Sequence, residues 1–416
     1  MKKFLTALLL FTLPATASAI TLEDAARIAL ENNPGLQNTE RSIEIAEKNL
    51  KIAQGNKGFS VTASGSASAS KTEGNPNSQS LSGRLRGSLP IYTGKRLESQ
   101  IESAKLGIDI SKLDYLQAQE DLIYNVAKAY INALENLENT RVYLQTEENL
   151  ADHEKNIGAL YDAGAKAKID LLRAQVETAN AQQDTAKSHA AYEVSLTNLA
   201  TLMAIDSISN LTVEHVATSL NLDELQSYIN LAAENRADLQ ADALRINQGE
   251  YALEVARAGK RPTLSAEIGA GLGANNSADW HATPDASVGL SASWNIFDSD
   301  ITKNEIKKAE IEIQQLELKM RSDTNSVNEA VVTAYKNLKI ALTRLRTTKK
   351  AVELAEEERF ISVERYRAGE GILLDVLDSE VSLATAKKNH VSATYDVLRY
   401  KFDLAHATGN TLAALQ

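Results

Sequence analysis

No cysteine occurs among the 416 residues, which excludes disulfides, thiolate metal sites and lipid attachment at a mature amino terminus. Proline is scarce, with 6 residues, and the aromatic content of 5% argues against a large compact core. After the first few residues, no window approaches the roughly 20 uninterrupted apolar residues of a membrane helix, so any membrane crossing must use strands. Lysine and arginine number 44 against 55 acidic residues, and the formal charge of −11 disfavours a nucleic-acid partner. The 6 histidines lack ligand spacing, and Gly269, Gly271 and Gly273 lie inside an alternating strand pattern rather than at a strand-to-helix turn. No catalytic residue, metal site or cofactor is therefore expected.

What is present begins with an export signal: Lys2 and Lys3, the apolar run Phe4 to Leu13, and the small-residue site Ala17-Ser18-Ala19. Cleavage there leaves Ile20 first and, by removing two lysines, makes the chain more acidic still.

The rest of the chain is an internal duplication. Ile91-Tyr92 matches Ile296-Phe297, Ala129-Tyr130 matches Ala334-Tyr335, and Asp170-Leu171-Leu172 matches Asp375-Val376-Leu377, all at one offset of 205 positions. Earlier in each half the offset is 203, pairing Asn32 with Asn235 and Ala53 with Ala256. A repeat of this length is too long for a solenoid unit, so two similar half-protomers are the better reading.

Each half carries two strands of strict alternation. Phe59, Val61, Ala63, Ala67 and Ala69 fall on one face of the first, and Ser60, Thr62, Ser64, Ser66 and Ser68 on the other. Its partner sets Leu81, Leu85 and Leu89 against Ser82, Arg84, Arg86 and Ser88. The second half repeats this with Leu264, Ile268 and Leu272, then Val288, Leu290, Trp294 and Ile296. Strands of about 10 to 12 residues can cross a bilayer at a barrel tilt. Four strands cannot close a membrane barrel, so several chains must share one; three copies supply twelve strands, with Arg84 and Arg86 facing a wet lumen. A soluble sandwich with one solvent face would show the same alternation.

Long helices follow each strand pair, with apolar positions stepping by four and three: Ile123, Ala127, Tyr130, Leu134 and Leu137, and again Val331, Tyr335, Leu338, Leu342 and Leu345. Turns at Asp162 to Lys168 and Ala368 to Gly371 send the chain back antiparallel. The expected organisation is a signal at 1–19 and a first repeat at 20–203, with one helix Leu22 to Gln54, strands 58–70 and 81–92, and helices 95–159 and 170–203. An equatorial appendage follows at 204–221. The second repeat, 222–408, has one helix Leu222 to Ala258, strands 263–274 and 286–297, and helices 300–367 and 375–408, and a tail closes the chain at 409–416. The fold class is mainly α with membrane β: a long antiparallel coiled-coil helical barrel plus four strands per chain in a shared β-barrel.

Thr21-Leu22-Glu23-Asp24-Ala25, Ala29-Leu30-Glu31-Asn32-Asn33-Pro34 and Tyr366-Arg367-Ala368-Gly369 with Asp375-Val376-Leu377-Asp378 resemble the TolC family of outer-membrane efflux proteins across the mature chain. A weaker copy of the tip motif is Tyr161-Asp162-Ala163-Gly164 with Asp170. The resemblance implies a homotrimer in outer-membrane lipid with a twelve-stranded barrel and a periplasmic helical barrel. It also implies a closed tip that opens on docking to a periplasmic adaptor (membrane fusion) protein and an inner-membrane pump of RND, ABC or MFS type. Drug efflux and type I protein secretion share this duct, and nothing in the sequence chooses between them.

By the same resemblance, Asp375 and Asp378 form an acidic ring at the pore entrance, and Asp170 with Tyr366 helps hold it shut. Where the best-known member has an arginine two residues after the tip glycine, this chain has Gly371, so Lys166, Lys168 or Arg367 is expected to take part in the closing network. The competing readings are plain. The aspartates complement helix dipoles, Gly164 and Gly369 cap helices as well as forming adaptor-facing tips, and Tyr92, Trp294 and Phe297 form either an interface belt or a junction plug. A non-conducting periplasmic or surface coiled-coil spacer is the alternative function.

Overall fold

The computed structural model describes residues 19–71, 78–212, 222–275 and 281–415. The signal segment up to Ser18, part of the loop between the first two strands, and the appendage from residue 213 to 221 lie outside the described residues.

In chain order the elements are α1 (Leu22–Asn32), α2 (Pro34–Gly55), β1 (Ser60–Ser70), β2 (Ser78–Tyr92), α3 (Arg96–Asp162), α4 (Lys168–Met203), α5 (Leu225–Asn235), α6 (Ala237–Ala258), β3 (Thr263–Asn275), β4 (His281–Ser293), α7 (Ile301–Arg367) and α8 (Leu373–Ala407). A short 3-10 turn, Leu412–Leu415, follows.

Two expectations need correction. The helix that opens each repeat is broken in two. At Asn33 the backbone is extended; its side-chain oxygen accepts from the Gly35 and Leu36 amides at 2.9 and 3.1 Å, while Pro34 has no amide to offer the preceding turn. In the second repeat Arg236 adopts nearly the same angles, φ −67° and ψ 116°, with its guanidinium on Asp238. The last strand, expected at 286–297, runs His281–Ser293. Its ladder partner β3 starts at Thr263, just after Pro262, so residues beyond Ser293 meet no neighbouring strand. Trp294 instead donates from Nε1 to the Lys260 carbonyl at 3.1 Å.

The chain divides into two compact units. One comprises Asn38–Gln117 and Arg236–Ser326 and contains the sheet. The strands run antiparallel in the order β1-β2-β3-β4. Alternation puts Val61, Leu85, Ile268, Val288 and Leu290 on one face, where they stay exposed, Val288 by 87% and Leu290 by 72%. The other face is hydroxylic, with Ser60–Ser88, Ser66–Ser82 and Ser68–Ser80 oxygen pairs at 3.0, 2.8 and 2.8 Å. Arg84 lies opposite Gly271, which lies opposite Asp285, and Arg84 reaches Asp285 at 3.4 Å across the bare glycine. A Cβ at Gly271 would stand 2.6 Å from the Asp285 carboxylate.

Each strand pair hands over to its long helix through two left-handed residues, Gly94-Lys95 in one repeat and Ser299-Asp300 in the other. Thr93 Oγ1 accepts from the Leu97 amide at 3.3 Å, and Asp298 accepts from the Thr302 amide at 2.9 Å. Both side chains satisfy an amide that the first helical turn leaves free. Within the same unit Asp242, nearly buried, takes Arg245 at 2.8 Å and Lys319 at 3.2 Å, tying α6 to α7, and Arg245 also holds Asp114 of α3 at 2.6 Å.

The other unit comprises Ala118–Asn235 and Val327–Gln416 with the chain up to Gln37. Tyr130 is fully buried there, its hydroxyl 2.8 Å from the Ile20 carbonyl and 2.7 Å from that of Thr212, beside the Ile20–Leu211 bridge. Asp396 receives Arg344 and Arg399, and Arg399 also reaches Glu135, so α3, α7 and α8 share one charge network. Among the described residues no helix is long and apolar enough to cross a membrane.

Candidate functional site at the hairpin tips

Both tips lie in this second unit and are built alike. Gly164 and Gly369 have φ of +73° and +79°, a conformation that costs an L-residue about 1 to 2 kcal/mol. Around each, the helix ends in the same double bond. Ala165 N–H donates to the Leu160 carbonyl and Gly164 N–H to that of Tyr161, both at 2.8 Å; Glu370 N–H donates to Arg365 at 2.9 Å and Gly369 N–H to Tyr366 at 3.2 Å. This is the glycine-terminated cap that satisfies the last free carbonyls of a helix. Nothing lies within 4 Å of a Cβ built at either glycine, so backbone angle, not space, selects them. Gly371 differs: a Cβ there would press on the backbone of Arg365 and Tyr366 from 3.2 and 3.0 Å.

The returning helices start without side-chain caps, at Ala167 and Ile372. Asp170 and Asp375 sit in their first turns, where a carboxylate complements the helix dipole. Asp375 and Asp378 are exposed, while Val376 and Leu377 between them are buried at 1% and 8%. One helical turn apart, the two acids share the outward face of α8, and neither has an ion-pair partner among the described residues.

Beneath the tips, Leu150, Ile157, Ala174, Tyr366, Leu373, Val376 and Leu377 form one apolar cluster. Tyr366 is 7% exposed, and its hydroxyl has no hydrogen-bond partner, from Asp170 or from any other described residue. Lys166 sets its Nζ 4.2 Å from the centre of the Tyr366 ring. Arg367 turns to Glu364 at 2.8 Å, and Lys168 is exposed. Of the three cations expected in the closing network, Lys166 is the one set over the Tyr366 ring.

Two residues that sequence reasoning missed complete the site. His153 packs its ring against Tyr366 with centroids 5.3 Å apart and an interplanar angle of 55°, and its buried Nε2 has no hydrogen-bond partner among the described residues. Burial, with Arg359, Arg367 and Lys166 nearby, holds its pKa below the ordinary 6.5. Glu380, 4% exposed, accepts from Arg359 Nε and, at 3.3 Å, from Asn149. Both occupy apolar positions of the helical stripe, His153 between Leu150 and Ile157, which is the signal that could have singled them out.

Solved structures share this fold. The outer-membrane channel OprN superposes with a TM-score of 0.80 over 94% of this chain and 90% of that one, at 20% identity. The fold is that of outer-membrane channels whose chains join paired strands to long helical hairpins. The chain belongs to the outer membrane efflux protein family, whose sequence profile matches residues 25–204 and 228–410. It is 21% identical to the outer membrane efflux protein BepC of Brucella suis biovar 1 (strain 1330) over 94% of this chain and 86% of that protein. It is 23% identical to TolC of Salmonella enteritidis over 72% of this chain, spanning 63% of that relative's length. Proteins of this family are channels of the outer membrane that extend into the periplasm.

Proposed function

We infer that three copies of this chain pool their sheets into one twelve-stranded barrel, continued by the long helices as the passive outer-membrane exit duct of a tripartite efflux or type I secretion system. The observation that carries this reading is the sheet. Its order leaves β1 and β4 with open edges, and its apolar face, with Val61 at 65% and Val288 at 87% exposure, is uncovered. An open edge in lipid leaves backbone groups unpaired at several kcal/mol each, and pairing β4 of one copy with β1 of the next removes both edges at once.

In this assembly an adaptor and an inner-membrane pump of RND, ABC or MFS type supply the energy, and drugs or polypeptides pass through. Asp375 and Asp378, repeated by symmetry, ring the entrance and attract cations. Tyr366 and Lys166, with Asp170, Lys168 and Arg367 around them, hold the tip shut, and the turns at Gly164 and Gly369 meet the adaptor.

The test is purification of the full-length protein followed by recording in planar bilayers. Detergent-extracted trimers resistant to sodium dodecyl sulfate that conduct ions support the duct. A rod that stays soluble without detergent and gives no conductance overturns it in favour of a coiled-coil spacer.

A further inference from the structure

We propose that His153 is a proton-responsive element of the tip: neutral, it lets Tyr366 seat in the cluster between the helical hairpins, and protonated, it drives Tyr366 out and loosens the closed entrance. The inference rests on the duct reading above and deepens it.

Three observations meet at this point. His153 and Tyr366 are in ring contact, and each buries a polar atom, Nε2 and the hydroxyl, that no described group satisfies. Such orphaned atoms are desolvated without compensation, so the seated arrangement is held by packing against a standing penalty. The surroundings of His153 are cationic. Lys166 enters from the tip turn and lies over the same Tyr366 ring. Arg359 and Arg367 come from α7, and both act on His153 in the direction that disfavours its charge.

Arg359 and Arg367 are each held by a carboxylate of their own, Glu380 and Glu364, neither of which bonds His153. Glu380 of α8 is engaged by Arg359 and Asn149, and Asp152 and Glu154 flank His153 along α3. The remaining α8 residues in the cluster, Leu373, Val376 and Leu377, and those from α4, Leu171 and Ala174, are apolar, as are Leu150 and Ile157 on α3 itself. Protonation therefore adds a positive charge to a partly buried, largely apolar site, beside a ring whose face Lys166 already occupies.

The sign follows. In the seated state His153 binds its proton below the ordinary pKa of 6.5, whereas a solvated imidazole binds it there. The seated state keeps its full advantage above about pH 6.5 and loses it as pH falls through that value and towards the depressed one.

The experiment is closed-state conductance of the intact reconstituted trimer, with equal pH on both sides, at pH 7.5 and 5.5. The comparison is between wild type, His153→Gln and, as a second non-titrating side chain, His153→Leu. The expected result is a rise of about threefold or more in wild type on acidification, absent from whichever variant assembles. An unchanged wild-type conductance, or a rise of the same size in either variant, overturns the role of His153 while leaving the duct intact. Assembled protein that conducts at neither pH overturns both readings.

Discussion

The Nζ of Lys166, carried by the turn between α3 and α4, stands 4.2 Å from the ring centre of Tyr366 at the end of α7. The first hairpin thus grips the last turn of the second by a cation on an aromatic face. A contact of this kind contributes about 0.5 to 2 kcal/mol, more where water is excluded. Lys166→Gln is therefore expected to raise the closed-state conductance of reconstituted channels by about twofold to tenfold. Conductance equal to wild type would mean that the contact does not hold the tip.

Asp375 and Asp378 present bare carboxylates on one face of α8. Replacing both by Asn is expected to reduce cation preference and to abolish block by multivalent cations, each single change giving an intermediate effect. Reversal potentials in a salt gradient measure the first and titration with a trivalent cation the second; unchanged values would assign the pair to dipole compensation alone.

Glu380 and Arg359 make an unequal pair, with side-chain exposures of 5% and 32%. Removing the arginine strands a carboxylate in the core, whereas removing the acid strands a cation that can turn to water. Arg359→Met is expected to cost about 3 kcal/mol and Glu380→Gln about 1 to 2 kcal/mol, with Arg359→Met/Glu380→Gln recovering part of the loss. Heat dissociation of the trimer measures the series, and strict additivity would show that the two side chains do not act as a unit.

At Gly369 the backbone angle is the whole requirement, since a Cβ would meet nothing within 4 Å. Gly369→Asn is expected to assemble nearly normally and Gly369→Val to be destabilised by about 1 to 2 kcal/mol or more, because asparagine tolerates positive φ and β-branched residues do not. Hydrogen exchange across Arg365 to Glu370 reads the difference; equal protection in both variants would refute it.

The strand faces and the repeat were legible because period-two alternation over many residues has few other causes. The helix break at Asn33 is announced by Pro34, but its counterpart at Arg236 has no proline and depends on a side-chain bond to Asp238 that no local pattern announces. The end of β4 was masked because Trp294 and Ile296 continue the alternation; what stops the strand is the start of β3 after Pro262, a fact about the neighbour. At the tips, the glycines and aspartates were legible as motif, and Lys166 only as a charge close in the chain. His153 was hidden by its own position, since a histidine in an apolar row reads as filler until its orphaned nitrogen is seen.

The order of the sheet also governs how copies can meet. Its two borders differ: β1 carries small hydroxylic and alanine side chains, β4 carries Pro284, Val288 and Leu290. A join between unlike borders is head-to-tail, so copies joined that way leave no loose strand only in a ring that returns to its start. In the proposed ring every seam is chemically the same seam, and one damaged subunit would open it at both of its sides.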